Sequence, residues 1–590
     1  MTNKEIATLL RHVAAAFSIK DEHKYHFQIV AYQKAADTIE SATSQVSDLL
    51  KEKKLEELPG IGATIKSHIE ELLTTGKVKH FESVLNGIPH AMFPLLDIPG
   101  FGPKRAYKLV TEFKLHDPET VIRDVEKRAV LGKIAEIEGF GKKSESEILR
   151  VINENKKNSS KTNRMLLPFA QELADKMLEY LQKCPDVVQV FPLGSLRRKK
   201  PTIGDLDFAV ATNKPENVLN FFTEYPYKVR LIEKGPATSS IIISGGYQID
   251  LMTQPVKSFG SLLQHFTGSK LHNIHLRDFA LKKQLSLSEK GIKHLDSKDK
   301  EKIFAYETEE QFYHAVGMDW IPPEIRENTG EIERAVTHTL PQLVDVKDIK
   351  GDLHIHSSYP IDPSHDLGKN TMEDMLKKAA LLGYEYLGFS EHNPSISQHT
   401  KEQIYTILKK RKEKIEQLKS NNKHVRIVNL LETDILVNGD LAIDTKALEL
   451  LDATIVSIHS SFSMDTEKMT QRVLKGLSHP KAKILAHPTG RLLNSRTGYS
   501  LQWDKIFDFC HTHNKALEIN AWPERTDLPD NIIKEAIRHG VKLIIDTDSH
   551  ATLHMDLMKY GVWNARRGWA EKSDILNTLE YNKFIEWLKS

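Results

Sequence analysis

Apolar positions in the first 160 or so residues recur at helical spacing and are interrupted by short glycine turns. EELPGIGATIKSHIEELL carries Gly60 and Gly62, LLDIPGFGPKRAYKLV carries Gly100 and Gly102, and IAEIEGFGKKSESEIL carries Gly139 and Gly141. This is one internal repeat, an apolar–x–G–x–G turn leading into an amphipathic helix. Each copy leaves free backbone N–H groups at a helix start, where a phosphate can bind. A single copy reads as a helix–turn–helix with a glycine cap. Three copies, two followed by lysine (Lys104, and Lys142 with Lys143), read as a grip on a sugar–phosphate backbone without sequence preference.

The pattern then changes. The polar stretch KNSSKTNR, at 157–164, reads as a linker, and a helix is expected over roughly 165–182. VVQVFPLGSLRRKKPTIGDLDFAVAT reads as strand, loop, strand, and SSIIISGGYQIDLMT as a strand pair turning at Ser244-Gly245-Gly246. A mixed α/β region thus covers about 165–320, and the Pro-broken, charged WIPPEIRENTGEIERAV reads as a connector. From about 350, apolar strands alternate with helical segments: DIKGDLHIH, YEYLGFSEH, VRIVNLLETD, ATIVSIHS, AKILAHP, NKALEIN and VKLIIDTDSH. That is the layout of a parallel (β/α) barrel.

Bulk properties narrow the picture only in part. At 590 residues the chain needs several cores. A net charge of +2 neither demands nor excludes a nucleic-acid partner. With Cys184 and Cys510 alone, no disulfide framework or cysteine zinc motif is expected, which fits a reducing cytosol. No apolar leader or membrane span is expected, so the predicted setting is the cytoplasm. The 27 histidines are unusual, and their positions matter more than their number.

Two clusters carry chemistry. Asp205 and Asp207, two apart in GDLDFAV, project from one face of a strand, and Asp250 in YQIDLMT can join them from a neighbour. Three carboxylates can hold two divalent ions about 4 Å apart, and Mg²⁺ favours such carboxylate and phosphate sites. Gly194, Ser195, Arg197 and Arg198 just upstream offer backbone N–H, hydroxyl and guanidinium donors suited to a triphosphate. In the C-terminal half, an acid or imidazole ends nearly every predicted strand: His354, His356, His392, Glu432, His459, His487, Asp548 and His550. In a (β/α) barrel those ends converge on one mouth, and the donor types suit Mn²⁺ or Zn²⁺. His479 and His511 read instead as core or capping residues.

At these residues the chain resembles the nucleotidyltransferases, and specifically the bacterial family X DNA polymerases with a C-terminal PHP (polymerase and histidinol phosphatase) domain. The matching motifs are LGSLRR…GDLD, Asp250, LQHFTGSKLHNIHLR and WIPPEIRENTGEIE, then DLHIHS, LETDI, SIHSS, ILAHPTGRLL, LEIN and DTDSH. The resemblance implies a multidomain fold: helix-hairpin-helix domains at 1–85 and 86–160, a palm at 161–260, a thumb at 261–320, a linker at 321–348 and a (β/α)7-type PHP barrel at 349–590. It implies that Asp205, Asp207 and Asp250 hold Mg²⁺ or Mn²⁺, and that Gly194, Ser195, Arg198 and Gly204 hold the triphosphate. His265, Phe266, Thr267 and Gly268 would line the sugar, and Asn273 and Arg277 the nascent pair. Gly60, Gly62, Gly100, Gly102 and Lys104 would contact DNA.

In the barrel, His354, His356, Asp366, His392, Glu432, His459, His487, Asp548 and His550 would hold three ions of Mn²⁺ and/or Zn²⁺, with Arg491 a candidate phosphate contact. The acid after H-x-H-S lies in an unusual loop, YPIDPSHDLGKN, which leaves Asp362 as an alternative to Asp366. Two further departures are Met252, where many relatives carry Arg, and His68, at the place of a Schiff-base lysine in some relatives. The implied activity is short-gap filling in DNA repair by a monomer on gapped or primed DNA with dNTPs, joined to a 3′–5′ exonuclease or 3′-end phosphoesterase. The competing reading is a non-polymerase nucleotidyltransferase fused to a phosphoesterase.

Overall fold

The computed structural model describes residues 3–41, 46, 50, 55, 61–96, 101–118, 120–142, 144–146, 148–149, 152, 164–296 and 302–590. They fall into two compact units, Met1–Arg164 with Ile243–Tyr247, and Met165–Ile242 with Gln248–Ser590. No helix among the described residues is long and apolar enough to cross a membrane.

The first unit is helical. Asn3–Asp21 packs along His26–Ser41, burying Ile6, Leu10, Val13, Tyr32 and Ile39 in a core shared with Ile65, Ile69, Leu72 and Phe81. Gly62 precedes the helix Ala63–Thr75, and Gly102 precedes Pro103–Glu112. Both glycines are extended, and no atom outside their own chain neighbours lies within 4 Å of where a Cβ would stand, so the helix starts are open to an approaching backbone. Lys104, next to Gly102, pairs with Glu22 at 2.6 Å on the surface. Gly60, Gly100, Lys143 and most of the expected linker at 157–164 lie outside the described residues.

The second unit opens with the helix Leu167–Leu181 and a five-stranded sheet. Its strand order is Gln189–Pro192, Leu206–Ala211, Gln248–Gln254, Thr238–Ile243, Lys228–Lys234. The expected turn is present, with Gly245 and Gly246 both at positive φ. Leu206–Ala211 pairs in parallel with Gln248–Gln254, and both its apolar faces are covered, which explains its near-continuous apolar run.

The segment 321–348, expected as a connector, behaves otherwise. Ile321, Ile325, Ile332 and Ala335 are buried with Leu276, Ala280, Phe312 and Tyr313. Two of its charged residues are neutralised inside that core: fully buried Arg326 meets Glu309 at 2.6 Å, and Glu331 meets His272 at 2.7 Å. These two charges, which resemble those of a solvated linker in sequence, are therefore internal ion pairs that close the helical layer.

The remaining residues build the barrel. Gly351–Ile355, Tyr386–Phe389 and Arg426–Asn429 form one parallel sheet; Glu432–Asp434, Thr454–Ser457, Ala482–Leu485, Ala516–Asn520 and Lys542–Asp546 form another. Parallel bridges His392↔Glu432 and Ile355↔Ser549 join the sheets at both seams, closing the ring. One apolar layer gathers Leu353, Tyr386, Val428, Ile455, Ile484 and Ile544 with Phe584 and Leu588 of the helix Tyr581–Lys589. Each such side chain contributes about 1.5–3 kcal/mol on burial. The carboxyl ends of the strands are left to polar residues.

Candidate functional site

The parallel register places Asp207 directly opposite Asp250. Asp205 enters just before its strand, and the three carboxylates bring oxygens within 4.8 Å of one another. Gln248 steadies Asp250, its Nε2 donating to both carboxylate oxygens at 3.0 Å. Burial, then the neighbouring charges of Asp205 and Asp250, push the Asp207 carboxyl up to about 7. Crowded carboxylates of this kind are suited to cations.

Gly194 approaches the triad closely. At φ +55°, a Cβ there would stand 2.6 Å from Asp207 Oδ2, so the loop tolerates only glycine. The Leu193 N–H donates to the Asp207 carbonyl at 2.8 Å, fixing the loop to the strand. Ser195 and Arg197 lie in the short helical turn Gly194–Arg197, and Gly204 immediately precedes Asp205. The two arginines differ. Arg197 is locked by Glu309 at 3.0 and 2.6 Å and is structural. Arg198 Nε donates to Glu327 at 3.1 Å and Nη1 to the Thr267 carbonyl. Gly268 also lies against this guanidinium, since a Cβ there would be 3.1 Å from Arg198 Nη1. His265, Phe266 and Thr267 end the helix Phe259–Thr267. Asn273, on the next helix, donates to the His265 carbonyl at 2.7 Å, and Arg277 follows one turn on. Burial, then Arg277, lowers the His265 imidazole.

In the barrel, Glu432 stands at the centre of the predicted cluster. Its carboxylate meets His392 Nδ1 at 2.9 Å, His487 Nε2 at 3.0 Å, His354 Nε2 at 3.2 Å, and His356 and His459 Nε2 each at 3.5 Å. Asp548 adds contacts to His356 at 3.3 Å and His354 at 3.6 Å. Asp366 reaches His392 at 3.2 Å and His550 at 3.6 Å, whereas Asp362 is drawn to His399 at 3.2 Å. The loop thus brings Asp366, not Asp362, to the cluster.

Burial alone would raise the Glu432 carboxyl, but His392, His354 and His459 hold it well below the carboxylate range. His356 is pushed well below its ordinary value by burial, then by His550 and His392. A neutral imidazole is the form that ligates metal. Among the described residues, His354 Nε2, both ring nitrogens of His356, His392 Nδ1, Glu432 Oε2, His487 Nδ1 and His550 Nε2 are buried without a hydrogen bond. Such atoms are costly unless something else satisfies them. Together with the mixed imidazole and carboxylate set, this fits bound divalent ions.

Sequence patterns missed several supporting residues. His354 Nδ1 donates to Glu518 at 2.6 Å, and His459 Nδ1 to Asp434 at 2.7 Å, the usual orienting arrangement for metal-bound imidazole. Asn520 donates to both Glu518 and Asp548. The positions two residues after Glu432 and two before Asn520 carried the available signal, since strand alternation puts each pair on one face. His365 joins His392 and His459, but it sits in a loop without periodicity.

Arg491, the candidate phosphate contact, braces a loop: its Nε donates to the Arg525 carbonyl at 2.9 Å and its Nη2 to the Thr526 carbonyl. That loop carries Arg525, whose Nε lies 3.4 Å from Asp548 Oδ2.

The chain is 33% identical over 594 residues to the DNA polymerase/3′-5′ exonuclease PolX of Bacillus subtilis (strain 168), covering 100% of both chains. The chain belongs to the family X DNA polymerases. Family models agree along its length: helix-hairpin-helix domain at 1–78, SAM-like helix-hairpin-helix tandem at 92–154, and DNA polymerase beta thumb at 262–327. The last overruns the expected thumb boundary at 320 and takes in Arg326, as the buried ion pairs require. DNA polymerase lambda of Arabidopsis thaliana is 24% identical over 330 residues, 50% of this family X chain and 57% of that protein. A probable phosphatase of Clostridium acetobutylicum is 28% identical over 253 residues, 40% of this chain and 94% of that protein.

Proposed function

We propose that this family X enzyme fills short gaps in DNA during repair and trims or cleans 3′ ends with its barrel. It is a DNA polymerase with an associated 3′–5′ exonuclease. The meeting of Asp205, Asp207 and Asp250 within 4.8 Å beside the Gly194 loop carries the polymerase reading.

In this reading, Asp205, Asp207 and Asp250 hold Mg²⁺ or Mn²⁺, and the nine barrel residues from His354 to His550 hold Mn²⁺ and/or Zn²⁺. Bound there, such ions activate an attacking oxygen and stabilise the leaving one. Gly194 lets the backbone approach the triphosphate, and Ser195, Arg198 and Gly204 hold it. Thr267 and Gly268 position the sugar beside His265 and Phe266, while Asn273 and Arg277 face the nascent pair. Gly60, Gly62, Gly100, Gly102 and Lys104 grip the DNA backbone. In the barrel, Glu518 and Asp434 orient His354 and His459. Arg525 is the cation placed to meet the scissile phosphate, beside Asp548.

Single-nucleotide gapped duplex with Mg²⁺ or Mn²⁺ tests this. Template-directed dNTP insertion in preference to ribonucleotides is expected. Ribonucleotide preference, or addition without a template, would point to the other nucleotidyltransferase reading.

A further inference from the structure

The helix Met558–Arg567 of the barrel ends against the loop that follows Gly194. The Arg567 side chain is fully buried. Its Nη1 donates to the Arg198 carbonyl at 2.7 Å, to Glu327 Oε1 at 3.1 Å and to the Glu324 carbonyl at 3.3 Å. Its Nη2 donates to Asp530, and so ties the same guanidinium back to the barrel. Glu327 also accepts from Arg198 Nε at 3.1 Å and pairs with Lys200 at 3.4 Å. One turn earlier on the barrel helix, the Trp563 ring lies 4.0 Å beneath Lys199 Nζ. Three consecutive residues of the loop, 198–200, are therefore held directly or through Glu327 by the barrel.

We propose that Arg567 is a positioning residue for deoxynucleotide binding at the polymerase site, acting through the Arg198 backbone and the Glu327 carboxylate. The proposal rests on Arg198 as a triphosphate contact. Two physical effects converge. The Arg567 fork pins the Arg198 carbonyl, which sets where that side chain starts. It also compensates the Glu327 charge, so that Arg198 is not the principal cation available to that carboxylate. Without Arg567, the loop loses its anchor and Glu327 holds Arg198 more tightly against transfer to a triphosphate. Both effects weaken nucleotide binding, and neither touches the three aspartates.

Steady-state insertion into a one-nucleotide gap by the full chain tests this, with wild type, Arg567→Met and Arg567→Lys compared. For Arg567→Met, the dNTP KM rises about 2- to 30-fold while kcat and 3′–5′ exonuclease rate stay within about twofold. Arg567→Lys, which keeps the charge without the fork, recovers part of the shift. An unchanged KM in Arg567→Met overturns the inference. If that variant loses exonuclease activity and so its fold, Glu327→Gln at the partly exposed partner decides. A KM shift with kcat and exonuclease preserved supports the coupling, and an unchanged KM, or a joint fall of kcat and exonuclease, overturns it. Wild-type protein that fails to extend the primer at all would instead remove the polymerase reading on which the inference stands.

Discussion

Asp207 shows how a single residue links stability and function. Its raised carboxyl keeps its proton in the metal-free fold up to about pH 7, where it is half ionised, while the unfolded chain ionises near its ordinary value. A raised acid stabilises the fold least at high pH, so its burden grows as pH climbs from about 4 towards 7 and persists above. Asp207→Asn is therefore expected to raise the melting temperature of metal-free protein by at least about 2 °C at pH 8, and by less at pH 5. The same substitution lowers gap filling by at least about 100-fold, since a direct ligand matters no less than its supports. A melting temperature that falls at pH 8 would show the carboxylate to be relaxed in the free enzyme. At another single position, His68 packs against His80 and contacts Tyr32 at 3.0 Å. Imidazole offers no primary amine for a Schiff base, so borohydride trapping on a 5′-deoxyribose phosphate end is expected to give no strong adduct. A strong adduct lost in Lys66→Ala would contradict this. The aspartates were legible in the sequence because strand alternation fixes their side, whereas the brace formed by Arg491 was not, because nothing in HPTGR announces the carbonyls of Arg525 and Thr526 that it meets.

Elements were legible where periodicity governs them. Every expected barrel strand is present, and acids and imidazoles at their carboxyl ends meet as the layout requires. The failure at 321–348 has a physical reason, because a local reading of Arg326 and Glu331 sees charges and cannot see Glu309 and His272 waiting in other elements. Burial would raise the Glu309 carboxyl, but Arg326 and Arg197 hold it down to about 2. This network therefore stabilises the thumb above the ordinary Glu range and is lost only as pH falls towards 2. Removing Arg326 takes one of two guanidinium partners from the buried Glu309, Arg197 remaining, so Arg326→Ala is expected to destabilise this region by about 1–3 kcal/mol in denaturant unfolding. A loss below about 1 kcal/mol would restore the segment to the status of a connector. In the barrel, Arg525→Ala is expected to slow exonuclease turnover about 10- to 100-fold at unchanged metal content, checked by elemental analysis. Loss of metal in the variant would assign Arg525 to cluster assembly instead of phosphate binding.

At the scale of the whole molecule, two metal-suited clusters of different chemistry share one chain, three carboxylates on paired strands and a ring of imidazoles around Glu432. The order of modules could be read from repeats and strand–helix alternation. The contact of Arg567 with the Arg198 loop could not, because it joins residues 369 positions apart with no shared period. The most direct test of the account measures extension and 3′–5′ degradation of one gapped duplex by Asp205→Ala and His354→Ala. Asp205→Ala is expected to lose extension and keep degradation, and His354→Ala to do the reverse. Either variant retaining the activity assigned to its own cluster would contradict this expectation.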